Sequence, residues 1–70
     1  MTEYEWRIVF ANRLRDMLEK KQMTQKELSK KSGVSLPYLN TCLILDKTPS
    51  VAMILKICNA LGCTMDKLVV

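Results

Sequence analysis

Apolar residues recur at helical intervals along most of this chain, and no stretch alternates apolar and polar positions long enough to suggest a sheet. Trp6, Phe10, Leu14, Met17 and Leu18 form one stripe, preceded by Thr2 and Glu5 at capping-box spacing. A first helix is predicted from about residue 3 to residue 21. Thr24-Gln25-Lys26-Glu27 is a second capping box, with Met23 and Leu28 placed to form a hydrophobic staple. It predicts a helix over about 25–32, ended by Gly33 in the left-handed conformation. Ser35 caps a third helix over about 36–44, with Val34 and Leu39 as its staple and Pro37 tolerated in the first turn. Ser50, after Pro49, starts a fourth that runs through Leu61 and stops at Gly62. Thr64 starts a short fifth, with Met65, Leu68 and Val69 apolar. The expected fold is all-α, a compact bundle of about five short helices in a single domain over residues 1–70.

Length and composition narrow the chemistry. Seventy residues bury one small core, and 49% apolar with 26% charged residues is an ordinary globular balance. The longest apolar run is Val51-Ala52-Met53-Ile54-Leu55, far short of a membrane span. Acids at Glu3 and Glu5 stand where a signal peptide would carry positive charge, so the expected location is cytoplasmic. The chain has no histidine, which removes the commonest general base and most metal sites. Cys42, Cys58 and Cys63 are odd in number and make no CxxC pair, and are expected as buried reduced thiols. No enzyme activity, metal, cofactor, small-molecule ligand or membrane is expected. Net charge is +4, and residues 20–31 carry Lys20, Lys21, Lys26, Lys30 and Lys31 against Glu27 alone. Such a segment suits a polyanionic partner and equally suits plain solubility.

Two short helices joined through Gly33-Val34-Ser35 have the geometry of a helix-turn-helix, whose second helix can enter a DNA major groove. Residues 10–68 resemble the lambdoid phage repressor, or Cro/C1-type, helix-turn-helix domain. The resemblance is carried by Thr24-Gln25-Lys26-Glu27-Leu28-Ser29, Gly33-Val34-Ser35, Leu39 and Cys42. Pro49-Ser50 and Ala60-Leu61-Gly62-Cys63-Thr64-Met65-Asp66 continue it. Small Ser29 and Gly33 with apolar Leu28, Leu39 and Cys42 fall where that motif needs a close helix crossing and a shared core.

The resemblance implies a homodimer that binds a pseudo-palindromic site on double-stranded DNA as a transcriptional regulator. It puts Gln25, Lys26, Ser35, Lys47 and Thr48 at positions that hold phosphates. A helix N-terminus at Gln25 supports this physically, through its unpaired N–H groups and partial positive charge. Caps and a solvated loop are the other use of Ser35, Lys47 and Thr48. The base-facing positions are Leu36, Pro37, Asn40 and Thr41. Two of these four are apolar, only Asn40 offers an amide fork, and Leu36 and Pro37 suit thymine methyl groups. The implied readout is weak in direct hydrogen bonds, with A·T preference or DNA shape as its basis.

Tyr38 can place its hydroxyl on a phosphate or its ring over the helix junction. Leu18 and Leu43 stand where the family commonly has an Arg and a Glu, a swap of an ion pair for packing. Cys42-Leu43-Ile44-Leu45 cannot all face inward on one helix. Exposed Ile44 and Leu45 near Leu36 and Pro37 would make an apolar patch, unless the loop folds back over them. The alternative function is therefore a protein-interaction module, with Leu36, Pro37, Tyr38, Ile44 and Leu45 as its anchors. Candidate dimer surfaces are the fifth helix with Met65, Val69 and Val70, the Ile44-Leu45 patch, and the Tyr4–Trp6 segment. The end at Val69-Val70 is compatible with a longer repressor of which this chain is one part.

Overall fold

The first four helices each begin where a hydroxyl side chain can replace a missing backbone acceptor. The computed structural model describes residues 2–44 and 47–69. Among them the elements are α1 (Glu3–Lys20), α2 (Gln25–Ser32), α3 (Leu36–Leu43), α4 (Val51–Leu61) and α5 (Asp66–Val69), with no strand. Both expected capping boxes form. The Glu5 N–H donates to Thr2 Oγ1 at 3.1 Å while Glu5 Oε1 accepts from the Thr2 N–H. At α2 the Glu27 N–H donates to Thr24 Oγ1 and the Thr24 N–H to Glu27 Oε1, each at 3.1 Å. Ser35 and Ser50 cap α3 and α4 by accepting from the N–H groups of Tyr38 and Met53.

Left-handed backbone ends α1, α2 and α4. Gly33 (φ 75°) donates its N–H to the Ser29 carbonyl and closes α2. Gly62 (φ 68°) closes α4. α1 ends at Lys20, one residue early, and Gln22 takes the left-handed place (φ 51°) that glycine holds elsewhere. α3 ends at Leu43, with Ile44 as its cap residue. No basic side chain lies in the last turn of α3. Arg15 of α1 supplies the cation instead, donating from Nη2 to the Leu43 carbonyl. α5 starts at Asp66, two residues after Thr64, because the Thr64 hydroxyl binds the Asp66 carboxylate and its carbonyl accepts from Lys67.

α1 packs on α5 and α3, while α2 packs on α4 and α3. The shared core takes Phe10, Ala11, Leu14 and Leu18 from α1, Leu28 from α2, and Leu39, Cys42 and Leu43 from α3. Ile54, Ile57, Cys58 and Leu61 of α4, Leu68 of α5 and Val34 of the α2–α3 turn complete it. Both staples hold, since Leu28, Val34 and Leu39 are buried and Met23 packs on the same cluster. Trp6 stacks on Phe10 with ring centroids 5.7 Å apart. Leu18 and Leu43 are both in the core, as expected of a pair that packs where the resembling family commonly has an ion pair. No charged or polar residue among those described is buried.

Candidate nucleic-acid interface

The turn between α2 and α3 is held by two serines that its own helix supplies. Ser29 Oγ donates to the Val34 carbonyl at 2.7 Å, and the Val34 N–H donates to Ser32 Oγ at 3.1 Å. With Val34 buried behind it, this turn sets α3 against α2 with one face of α3 inward. Leu39, Cys42 and Leu43 point into the core, so Leu36, Pro37 and Asn40 are left outside. An open cleft of about 400 Å³ is lined by Gln25, Leu36, Pro37 and Asn40. The structure thus brings one expected phosphate-side residue and three expected base-facing residues onto a single surface.

The polar groups at this surface differ in what they have left to offer. The capping box of α2 engages the N–H groups of Thr24 and Glu27, while those of Gln25 and Lys26 lie in the first turn, where no intrahelical acceptor exists. Ser35 Oγ accepts from the Tyr38 N–H, which leaves its own proton for another acceptor. Capping and phosphate contact are therefore compatible at Ser35. Pro37 has no N–H, so the first turn of α3 is poorer in donors than that of α2. Thr41 Oγ1 donates to the Pro37 carbonyl at 2.7 Å and presents outward only a methyl group and oxygen lone pairs.

Tyr38 is engaged within the fold through both its ring and its hydroxyl. Its ring is half-buried against the core, and its hydroxyl oxygen accepts from the Ser50 N–H at 3.3 Å, tying α3 to the start of α4. Lys47 is exposed, with Nζ 5.1 Å from the Tyr38 ring centroid, a cation–π contact that parks the ammonium beside α3. Thr48 is placed differently from a free phosphate ligand. Its Oγ1 accepts from Arg7 Nε at 2.7 Å and donates to Glu3 Oε1 at 2.8 Å. Glu3 and Arg7 also pair at 3.4 Å. The Thr48 hydroxyl, followed by the Arg7 charge, holds the Glu3 carboxyl below its usual range. This cluster fastens the first turn of α1 to the loop that carries Lys47.

At the other end of α3, Ile44 is 61% exposed, so the chain does not fold back over it. Leu45, its expected companion in the patch, lies outside the described residues, as does Val70. Val51 and Leu55, one turn apart on α4, are also exposed apolar residues. In the sequence they stand only as the two ends of the longest apolar run, with no surface role assigned to them. Arg15 and the Glu3–Arg7–Thr48 cluster were missed as well. The one available signal was the absence of any Lys or Arg in the last turn of α3, which calls for a donor from elsewhere. Among the described residues, no three His, Cys, Asp or Glu side chains group as a metal site. No described helix is long and apolar enough to cross a membrane.

Two short helices crossing at a serine-held turn, the second with its outer face open beside the N-terminus of the first, define a helix-turn-helix protein. The chain belongs to the HTH_3 helix-turn-helix family, which it matches over residues 14–68. The crystal structure of an HTH_3 family transcriptional regulator from Vibrio cholerae has the same fold, with a TM-score of 0.92 at 19% sequence identity. That match covers 96% of this chain and only 38% of the regulator. The restriction-modification controller protein C.AhdI from Aeromonas hydrophila matches with a TM-score of 0.84 at 27% identity, over 89% of this chain and 94% of its own. No match is found among curated proteins.

Proposed function

We propose that this protein is a transcriptional regulator of the phage-repressor kind, binding double-stranded DNA as a homodimer with α3 in the major groove. The observation that carries the reading is the cleft shared by Gln25, Leu36, Pro37 and Asn40. It sets a phosphate-seeking helix end and the outer face of α3 side by side, as groove docking requires. Family membership and the regulator and controller proteins that share the fold support it. Gln25, Lys26, Ser35 and Lys47 hold phosphates, and Thr48 holds the loop from which Lys47 reaches. Leu36 and Pro37 pack on thymine methyls, Asn40 forks an adenine, and Thr41 accepts from a base amino group. This set prefers A·T pairs. Repression follows from occupying a promoter, without any reaction on the DNA.

Fluorescence anisotropy of random and A·T-rich duplexes at ~50 and ~200 mM salt tests this. Lys26 and Lys47 are the two cationic phosphate ligands, about four per dimer, so log K should fall with log salt at a slope of about −4. Binding should weaken by about two orders of magnitude across that range. A second reading rests on the exposure of Leu36 (40%) and Ile44 (61%), which suits a protein-binding face. Absence of duplex binding at low salt by folded protein would overturn the first reading and turn attention to the second.

A further inference from the structure

The end of α4 brings two thiols together. The Gly62 N–H donates to the Asn59 carbonyl at 3.3 Å, and the Cys63 N–H reaches back to the Cys58 carbonyl at 3.0 Å. This pair of bonds is the Schellman arrangement, in which the outer two residues also make a side-chain contact across the helix end. α1 ends in the same way, with the Met23 N–H on the Leu18 carbonyl at 2.9 Å and two apolar side chains in those places. At α4 both places are cysteine. A 3.0 Å contact from Cys63 N to Cys58 O holds their Cα atoms within about 7 Å by standard bond lengths. A disulfide requires about 4.4–6.8 Å.

Both thiols are free, Cys58 in the core and Cys63 half-buried at its edge. Burial first, then the neighbouring Cys63 thiol and Asp66, push the Cys58 thiol up to about 11. Cys42, the third cysteine, is buried on α3.

We propose that Cys58 and Cys63 form a dithiol site that closes to an intramolecular disulfide when the protein meets a small disulfide oxidant of the glutathione type. The partly exposed Cys63 thiol gives its proton to water and, as the thiolate, attacks one sulfur of the oxidant, forming a mixed disulfide and releasing one small thiolate that takes up a proton in turn. Cys58 then gives its proton to water and attacks Cys63 Sγ, forming the protein disulfide and releasing the second small thiolate. Two protein thiols are oxidised and one small disulfide is reduced to two thiols. The left-handed Gly62 lies inside the ring so closed, and the new bond ties the end of α4 to the turn that leads into α5.

The full chain, reduced and then incubated with oxidised glutathione, is alkylated and weighed by intact mass spectrometry. Closure leaves one thiol to alkylate in place of three and a protein mass lower by two hydrogens. Peptide mapping should place the bond between Cys58 and Cys63, and dithiothreitol should reverse it. Cys42→Ser should close as the unaltered chain does, and Cys63→Ser should not close. A lasting glutathione adduct on Cys63, a bond between two chains, or three retained thiols in protein with intact helical circular dichroism would overturn the proposal.

Discussion

Among the described residues three sit in left-handed backbone, and only two of them are glycine. A Cβ built at Gly33 or Gly62 meets nothing within 4 Å, so alanine there strains the backbone without a clash. Gly33→Ala should lower stability by ~1 kcal/mol, read as a lower urea midpoint at unchanged slope. Gln22 carries the same strain already. Gln22→Gly should raise the midpoint, by less than ~1 kcal/mol because glycine also loosens the unfolded chain. At the DNA-facing surface, the proposed roles separate by what each side chain can bond. Asn40→Ala should cost ~1–3 kcal/mol on the preferred duplex and little on scrambled DNA. Lys47→Ala should instead weaken all duplexes alike and reduce the salt slope by about one per protomer. Anisotropy titrations of both variants distinguish base reading from phosphate anchoring.

The capping box is the device that defines α2. Glu27 accepts from the backbone N–H of Thr24 and then from its hydroxyl, which holds its carboxyl below the usual range. A carboxylate stabilised in this way favours the fold at every pH above its unfolded value near 4.5. That contribution disappears as pH falls through the lower folded value. Thr24→Ala should cost ~1 kcal/mol at neutral pH, and its deficit should shrink in acid, where protonation of Glu27 costs the unaltered protein a hydroxyl–carboxylate bond that the variant already lacks. Urea unfolding at pH 7 and pH 3 measures the difference. Local devices of this kind explain which elements were legible in the sequence. Caps, staples and glycine stops involve residues no more than five apart, so α1 to α4 could be placed to within one residue at each end. The Leu36, Pro37 and Asn40 face was named through the family resemblance, and all three are exposed on the first turns of α3. Contacts across the fold leave no such trace. Thr48 reads as a free loop hydroxyl until the fold places Arg7 and Glu3 beside it, more than 40 residues away. Arg15 reads as a surface charge until α3 ends against it. α5 starts late because a side-chain bond between Thr64 and Asp66 occupies the place a helix cap would take.

A chain of 70 residues with one apolar core has little stability in reserve, about 4–10 kcal/mol by the usual value per residue. Binding energy is therefore large on this scale, and DNA binding should be visible as heat resistance. A duplex that binds only the folded state at about 100 times its Kd adds ~2.7 kcal/mol. For a domain this small, that corresponds to a rise in Tm of about 10–20 °C. Salt then discriminates the source. If Lys26 and Lys47 supply the attraction, raising salt from ~50 to ~200 mM brings the same duplex near its Kd, and the rise shrinks to a few degrees. Contacts through Leu36, Pro37 and Ile44 to an apolar partner have no such dependence. Thermal scans with and without duplex at the two salt concentrations should show a large shift collapsing to a small one. A Tm indifferent to duplex at both concentrations would move the functional surface from the Gln25–Asn40 cleft to the exposed apolar residues of α3.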